Sequence, residues 1–523
     1  MVLKQKDFLS KGFLPKEFPG LFDSSDLSKT LSYHDDVLKS EPKVSRPTKT
    51  SIPKFSGFRR SITVPNPKHY SMLVKFLVKH SRDIERFYDV SKISMSKAIY
   101  KSDSSRAIAN EYNFEQVMQE KLAKGFSSRF LLTADVSKFY NTIYTHSIPW
   151  AIHTKDVSKR DRTDNLWGNE LDRLVRNMQD GQTLGIPIGP DASRVISELI
   201  GVALDRSIQN SEPSLNGIRF IDDFFFFADT ASEAENLDLK INRALGEFEL
   251  TTNENKSSIE TMPVPIESLQ QQTIRHYKIR KNPPEQRLDI IHLYNIAIDV
   301  HKNNPQESSF HYFLTKVMPV KIHETNWRIL ESILLQISIC EPKSITVVSK
   351  ILISYKSYGY PLDLLNIKTA FLKVAKKGVD NNFGYEVCWS FWVLTQLDIA
   401  INEEIAGLAD VNDSMAILSI LTAREKGFYT GRLDTNHWDT IITNDGLYDS
   451  SWMLCYEAEK RGWLTNQNGI DAIDNDQYFK KLKSSDVSFL NMDSTINPMD
   501  EDDLHDETEF DTEIDIFDLI YGN

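Results

Sequence analysis

Residues 220–227 read Phe220-Ile221-Asp222-Asp223-Phe224-Phe225-Phe226-Phe227, two adjacent carboxylates inside an otherwise apolar run. The flanks Gly217–Ile221 and Phe224–Ala228 have the composition of strands, so the acidic pair falls where a tight hairpin turn belongs. A turn that only reverses the chain favours Asn-Gly or Asp-Gly, because glycine relieves the positive φ such a turn demands. Here two carboxylates repel each other among aromatic neighbours that lower the local dielectric. A bound divalent cation removes that penalty; an Asx-rich hairpin with no ion is the plainer alternative.

Upstream, Phe130-Leu131-Leu132-Thr133-Ala134-Asp135 reads as a buried strand, predicted over Arg129–Asp135, that ends in a carboxylate. Transfer of a nucleoside triphosphate's phosphoryl group to a 3′-hydroxyl has a recurring solution, two metal ions about 4 Å apart. Mg²⁺, with Mn²⁺ as an alternative, takes a few carboxylates together with substrate phosphates and water. One Asp from a strand and two from a neighbouring hairpin meet that need, so Asp135, Asp222 and Asp223 are the candidate catalytic and metal-ligating residues.

At 523 residues the chain exceeds a single core, and two or three domains are expected. No stretch approaches the roughly 20 apolar residues of a membrane span, and the first residues lack a secretory pattern. Cys340, Cys388 and Cys455 stand too far apart for a disulfide framework or a zinc site. These features predict a cytoplasmic protein with no membrane partner. The net charge of −13 has one source: residues 484–523 hold 13 Asp and Glu and no Lys or Arg. Residues 1–101 carry 20 Lys and Arg against 10 Asp and Glu, a basic front end compatible with nucleic acid.

Four regions follow from composition and periodicity. Residues 1–68 form a basic, Ser- and Pro-rich segment. Residues 69–275 mix helical patterns (70–88, 107–124, 191–209) with the strands above, an α+β domain. Residues 285–483 show apolar residues at helical steps, as at Leu330 and Leu334, and predict an all-α region of stacked hairpins or an irregular bundle. Residues 484–523 form an acidic tail, disordered or loosely docked through Phe510, Ile514, Ile516, Phe517, Leu519, Ile520 and Tyr521.

Taken in order, the motifs between about 55 and 275 resemble those of reverse transcriptases. Asp135 with Phe139-Tyr140 is similar to motif A, and Gly185-Ile186-Pro187-Ile188-Gly189 with Ser193 to motif B. Phe220-Ile221-Asp222-Asp223 resembles the YxDD box, and Leu250 to Ser257 resembles motif D. Arg59-Arg60-Ser61-Ile62 with Pro65-Asn66-Pro67 resembles the fingers block. The resemblance implies a fingers/palm domain that starts within residues 1–68 and continues over 69–275, and DNA synthesis from dNTPs. It also implies nucleotide-binding roles: Arg59 and Arg60 on the triphosphate, Tyr140 as a gate against the ribose 2′-hydroxyl, Gly185 and Gly189 under base and sugar, and Lys256 as a proton donor to pyrophosphate. Generic surface charge, core packing and a simple turn are the plainer readings of these six.

Ile188 stands where the family usually has Gln, a residue that contacts nucleotide and template, and Phe220 replaces the usual Tyr. No thumb is evident. A palm followed by helices resembles the abortive-infection reverse transcriptases of bacterial antiphage defence. That resemblance implies a HEAT-like helical C-terminal domain, homo-oligomeric assembly, and untemplated synthesis of single-stranded DNA primed by a protein hydroxyl, leaving the product covalently attached. A templated RNA-dependent DNA polymerase of retron or intron type and a non-catalytic palm scaffold are the alternatives.

Overall fold

The computed structural model describes residues 3–33, 38, 44–54, 57–102, 104–305, 307–466, 469 and 471–505. Among the described residues eight strands form three sheets: β1 (Thr48–Pro53) with β2 (Arg59–Val64), β3 (Ala98–Ile99) with β4 (Ala109–Asn110), and a four-stranded sheet. The last comprises β5 (Phe130–Asp135), β6 (Gly217–Phe220), β7 (Asp223–Ala228) and β8 (Ser258–Thr261) in the spatial order β6-β7-β5-β8. All of its pairings are antiparallel.

On β7, Phe224, Phe226 and Ala228 are buried on the face covered by helix 231–247, and Phe227 is buried on the other. A strand pleat sends neighbouring residues of an apolar run to opposite faces in this way. Helix 191–211 is buried nearly all round, its polar Glu198 and Asp205 included, which suits a central place in this domain. The opposite face carries Asp223, Phe225 and Phe227 and meets helix Phe114–Gly125.

The predicted helix 70–88 is two helices, Pro67–Lys79 and Ser81–Tyr88, separated at His80. His80 stacks on Trp167 with ring centroids 5.3 Å apart, a contact from a distant helix. The helix expected from 107 starts at Phe114 instead. Asn113 and Gln116 form a capping box there, and Ala109–Asn110 pairs as β4.

From Pro283 to Ser484 the named elements are all helical. Helices 364–381 and 384–396, and then 384–396 and 414–425, pack as neighbours in succession. One apolar core runs through palm and helices alike. The segment before β1 joins it: Phe8, Leu9 and Phe13 are fully buried, and the Phe13 ring meets those of Tyr70, Trp452 and Phe489. Residues 1–68 are therefore more than a basic extension.

The acidic tail also starts later than 484. Val487 and Phe489 are 0% exposed and Leu490 is 4% exposed, so burial of these apolar side chains fixes the first part of the expected tail to the body. The seven apolar residues from Phe510 to Tyr521 lie outside the described residues.

Candidate active site

β5 and β7 pair with Asp135 directly opposite Asp223, and β6 pairs Phe220 with Asp223, leaving Ile221 and Asp222 as a two-residue turn. One ligand oxygen from each of Asp135, Asp222 and Asp223 lies within 4.8 Å of the others. The sequence thus brings three carboxylates to one point, two through the hairpin and one through strand register. Burial, then repulsion from Asp135, raises the Asp222 carboxyl to about 6. Burial and its two acidic neighbours raise Asp223 to about 7.

Three oxygen donors that resist ionising together fit a hard divalent cation. Lys256 Nζ donates to Asp135 Oδ1 at 3.3 Å, and Asn253 Nδ2 donates to Asp135 Oδ2 at 2.8 Å. Asn253 also anchors the strand end, its amide donating to the Asp135 carbonyl at 2.7 Å. The motif D segment therefore sits on the first carboxylate.

The turn is held from below by residues the sequence reading does not single out. Ile221 has φ of +57°, which is costly for a β-branched residue. Ser96 Oγ accepts from Ile221 N at 2.8 Å, and Arg219 Nη1 donates to the Ile221 carbonyl at 2.8 Å. Arg219 is 1% exposed. Its Nε and Nη2 donate to both Asp205 oxygens at 2.8 Å, while Nη2 and Nη1 reach Glu198 at 2.9 and 3.2 Å. Gly201 makes room: a Cβ there would stand 2.7 Å from Arg219 Cζ. The available signal was an arginine inside the apolar strand Gly-Ile-Arg-Phe, with Glu198 and Asp205 seven residues apart on an apolar helix.

Adjacent residues in a strand point to opposite faces, and this separates the two fingers arginines. Arg59 Nη1 and Nη2 donate to Glu386 Oε1 and Oε2 at 2.6 and 2.9 Å, and Arg59 Cζ lies 3.6 Å from the centre of the Phe383 ring. Its guanidinium fork is engaged by the helical region, whereas the resemblance implies a place on the triphosphate. Arg60 Nη2 donates to Glu17 at 2.9 Å. Lys54, at the end of β1, interacts electrostatically with Arg60, Lys256, Asp135 and Asp222, which places it by the carboxylates.

Tyr140 packs half-buried beside the triad, and its hydroxyl accepts from Ser197 Oγ at 3.0 Å. The Tyr140 carbonyl accepts from Ile186 N at 2.9 Å, tying the 185–189 loop to motif A. Gly185 has φ of +83°, and a Cβ there would come within 3.1 Å of the Asn141 carbonyl oxygen. Gly189 has φ of +125°, and what approaches it is Pro15, whose Cγ a Cβ would meet at 2.5 Å. At Gly189 the N-terminal segment makes the close approach. Arg106 fastens that segment by donating to Leu14 O, Gly189 O and Asp191.

The two central strands of the sheet thus end in a carboxylate triad able to hold divalent metal ions, the donor set that nucleotidyl transfer requires. Residues 52–312 match the family model described as reverse transcriptase (RNA-dependent DNA polymerase), and the chain carries a reverse-transcriptase domain there. No curated protein matches by sequence. Among solved structures, telomerase from Candida albicans in complex with a TWJ fragment of telomeric RNA is 10% identical, with a TM-score of 0.28 over 65% of this chain. Apo telomerase from Candida tropicalis is also 10% identical, with a TM-score of 0.31 over 68%. The chain covers 63% and 66% of those two chains, and likeness at this level carries no argument about activity. No described helix is long and apolar enough to cross a membrane.

Proposed function

We propose that this protein is a DNA polymerase of reverse-transcriptase type that extends single-stranded DNA from dNTPs without an ordinary template, in the manner of antiphage abortive-infection enzymes. The observation that carries the polymerase reading is the meeting of Asp135, Asp222 and Asp223 within 4.8 Å inside the matched domain. Asp135, Asp222 and Asp223 would hold Mg²⁺ or Mn²⁺, which when bound activates the attacking 3′-hydroxyl and neutralises the leaving pyrophosphate. Lys256 and Lys54 bring positive charge to the carboxylates, and Lys256 would give a proton to pyrophosphate. The Tyr140 ring, braced by Ser197, would act as the gate against a ribose 2′-hydroxyl.

Untemplated synthesis is supported by Ile188 in the place of the usual Gln and by Pro15 lying over Gly189. Helices in place of a thumb support the abortive-infection reading, including a HEAT-like domain, homo-oligomeric assembly and priming by a protein hydroxyl. Templated RNA-directed synthesis is the second reading, favoured by the family description of residues 52–312. Incubation with each labelled dNTP and Mg²⁺ or Mn²⁺, with and without an RNA template, separates the two. Label incorporated without template and migrating with the polypeptide on a denaturing gel is expected. Incorporation that follows an added template sequence overturns the untemplated reading, and no incorporation at all overturns the polymerase reading in favour of a scaffold.

A further inference from the structure

The carboxylate triad has a counterpart of opposite sign at the junction of three parts of the chain. Lys16 follows Pro15, the residue that meets Gly189, and Glu17 is anchored where Trp389 Nε1 donates to its carbonyl at 3.0 Å. Arg60, on the fingers hairpin, donates to the Glu17 carboxylate. The turn Pro342–Ser344 of the helical region packs against β1 and brings Lys343 to the same carboxylate. Burial raises the Glu17 carboxyl, yet Arg60, Lys343 and Lys16 outweigh it and hold Glu17 below its ordinary value. The lysines are not satisfied in return. Neither Nζ has a hydrogen bond or an ion pair within 4 Å among the described residues. Burial lowers the Lys343 ammonium. Lys16 is exposed, but the protein crowded around it lowers its ammonium to about 8, with Glu17 opposing and Arg106, Lys343 and Arg194 adding to the effect. Arg106 is already paired with Asp191 at 2.6 Å.

We infer that Lys16, Arg60 and Lys343 form a binding site for a terminal phosphate group. The inference goes beyond the polymerase reading, because it needs neither a metal nor synthesis. Charge decides the ligand. Three cations around the single carboxylate of Glu17 leave a surplus of two positive charges. A phosphate monoester carries about −1.5 to −2 at neutral pH and offers three strong acceptor oxygens, one for each cation. A phosphodiester inside a strand brings one negative charge and leaves half of the surplus in place. Guanidinium and ammonium groups make their stronger hydrogen bonds to ionised oxygens of this kind. The 5′-phosphate of a free nucleotide and the 5′-phosphate at the end of a DNA strand share this chemistry.

The test uses the full chain in chelator, where metal-assisted binding at the aspartates is suppressed. Calorimetry compares dTMP with thymidine, and 5′-phosphorylated oligothymidine with its unphosphorylated twin. Lys16→Gln and Lys343→Gln are each expected to weaken dTMP binding roughly tenfold, and Lys373→Gln, at an exposed lysine on helix 364–381, to leave it unchanged. Lys16 is exposed, so its variant keeps the core intact, and thermal melts check the folding of both. Tighter binding of dTMP than of the phosphorylated strand identifies a free nucleotide as the ligand, and the reverse identifies a strand end. Equal binding of dTMP and thymidine overturns the inference, as does wild-type affinity in folded Lys16→Gln and Lys343→Gln. Equal binding of the two oligothymidines, with dTMP not bound, overturns it in favour of a backbone site. These outcomes are read without synthesis, so none of them bears on the polymerase reading.

Discussion

The hairpin carrying Asp222 and Asp223 and the hairpin carrying Arg59 and Arg60 are both two-stranded antiparallel pairs, held in opposite ways. The first is fixed from inside the palm. Arg219, Glu198, Asp205 and Ser96 form a buried polar cluster under its turn, and the acidic members lie 14 and 21 residues from the arginine. The second is fixed from outside, by a side chain 327 residues away on helix 384–396. Thr50 reaches Asp413, and Trp452 Nε1 donates to the Val64 carbonyl at 3.2 Å. The partners that brace the carboxylate turn all lie within the palm, whereas several that brace the fingers hairpin lie in the helical region.

Changes at the carboxylates should act on chemistry alone. Asp222→Ala is expected to lower dNTP incorporation by on the order of 10³-fold or more, with the fold retained, since a repelling charge is removed. Incorporation kinetics and circular dichroism check both parts. One layer down, Arg219→Met leaves Glu198 and Asp205 buried beside no cation, and should cost about 3–5 kcal/mol of stability. Denaturant titration reads this, and a cost near zero would mean that the cluster does not brace the palm hairpin.

The fingers hairpin should respond to a change far from the palm. Glu386→Ala removes the partner of Arg59, whose side chain is 20% exposed, and is expected to cost about 2 kcal/mol. A double-mutant cycle with Arg59→Ala should recover part of that as coupling. Hydrogen exchange should then rise in β1 and β2 and stay unchanged in β6 and β7. Equal loosening of both hairpins would erase the distinction between them.

The same contrast decides what was legible in the sequence. The catalytic hairpin is a local pattern, and its strands were predicted to within a residue: Gly217–Phe220 against 217–221, and Asp223–Ala228 against 224–228. Helix 191–211 and the change to helices after 283 were equally visible from periodicity. Non-local partners were not. Nothing near Arg59 announces Glu386, nothing near Gly189 announces Pro15, and nothing near His80 announces its stacking on Trp167. The left-handed Ile221 was hidden too, because a β-branched residue gives no sign of that conformation until a buried cluster imposes it.

The smallest expected effect sharpens the account of the palm hairpin through pH. Asp222 and Asp223 are raised to about 6 and about 7, above their ordinary value near 3.8, with burial as the first cause. A carboxyl raised on folding favours the folded state while it is protonated, so its contribution is complete below the unfolded value and is lost as pH rises through the folded one. In chelator, the melting temperature should therefore fall by a few degrees between pH 5 and 8, and Asp222→Asn should flatten that slope. Added Mn²⁺ should reverse it, because the ligands must be ionised to bind. A metal-free protein whose stability rises over the same interval would show that the carboxylates do not strain one another, and the case for a cation-completed site would lose its electrostatic basis.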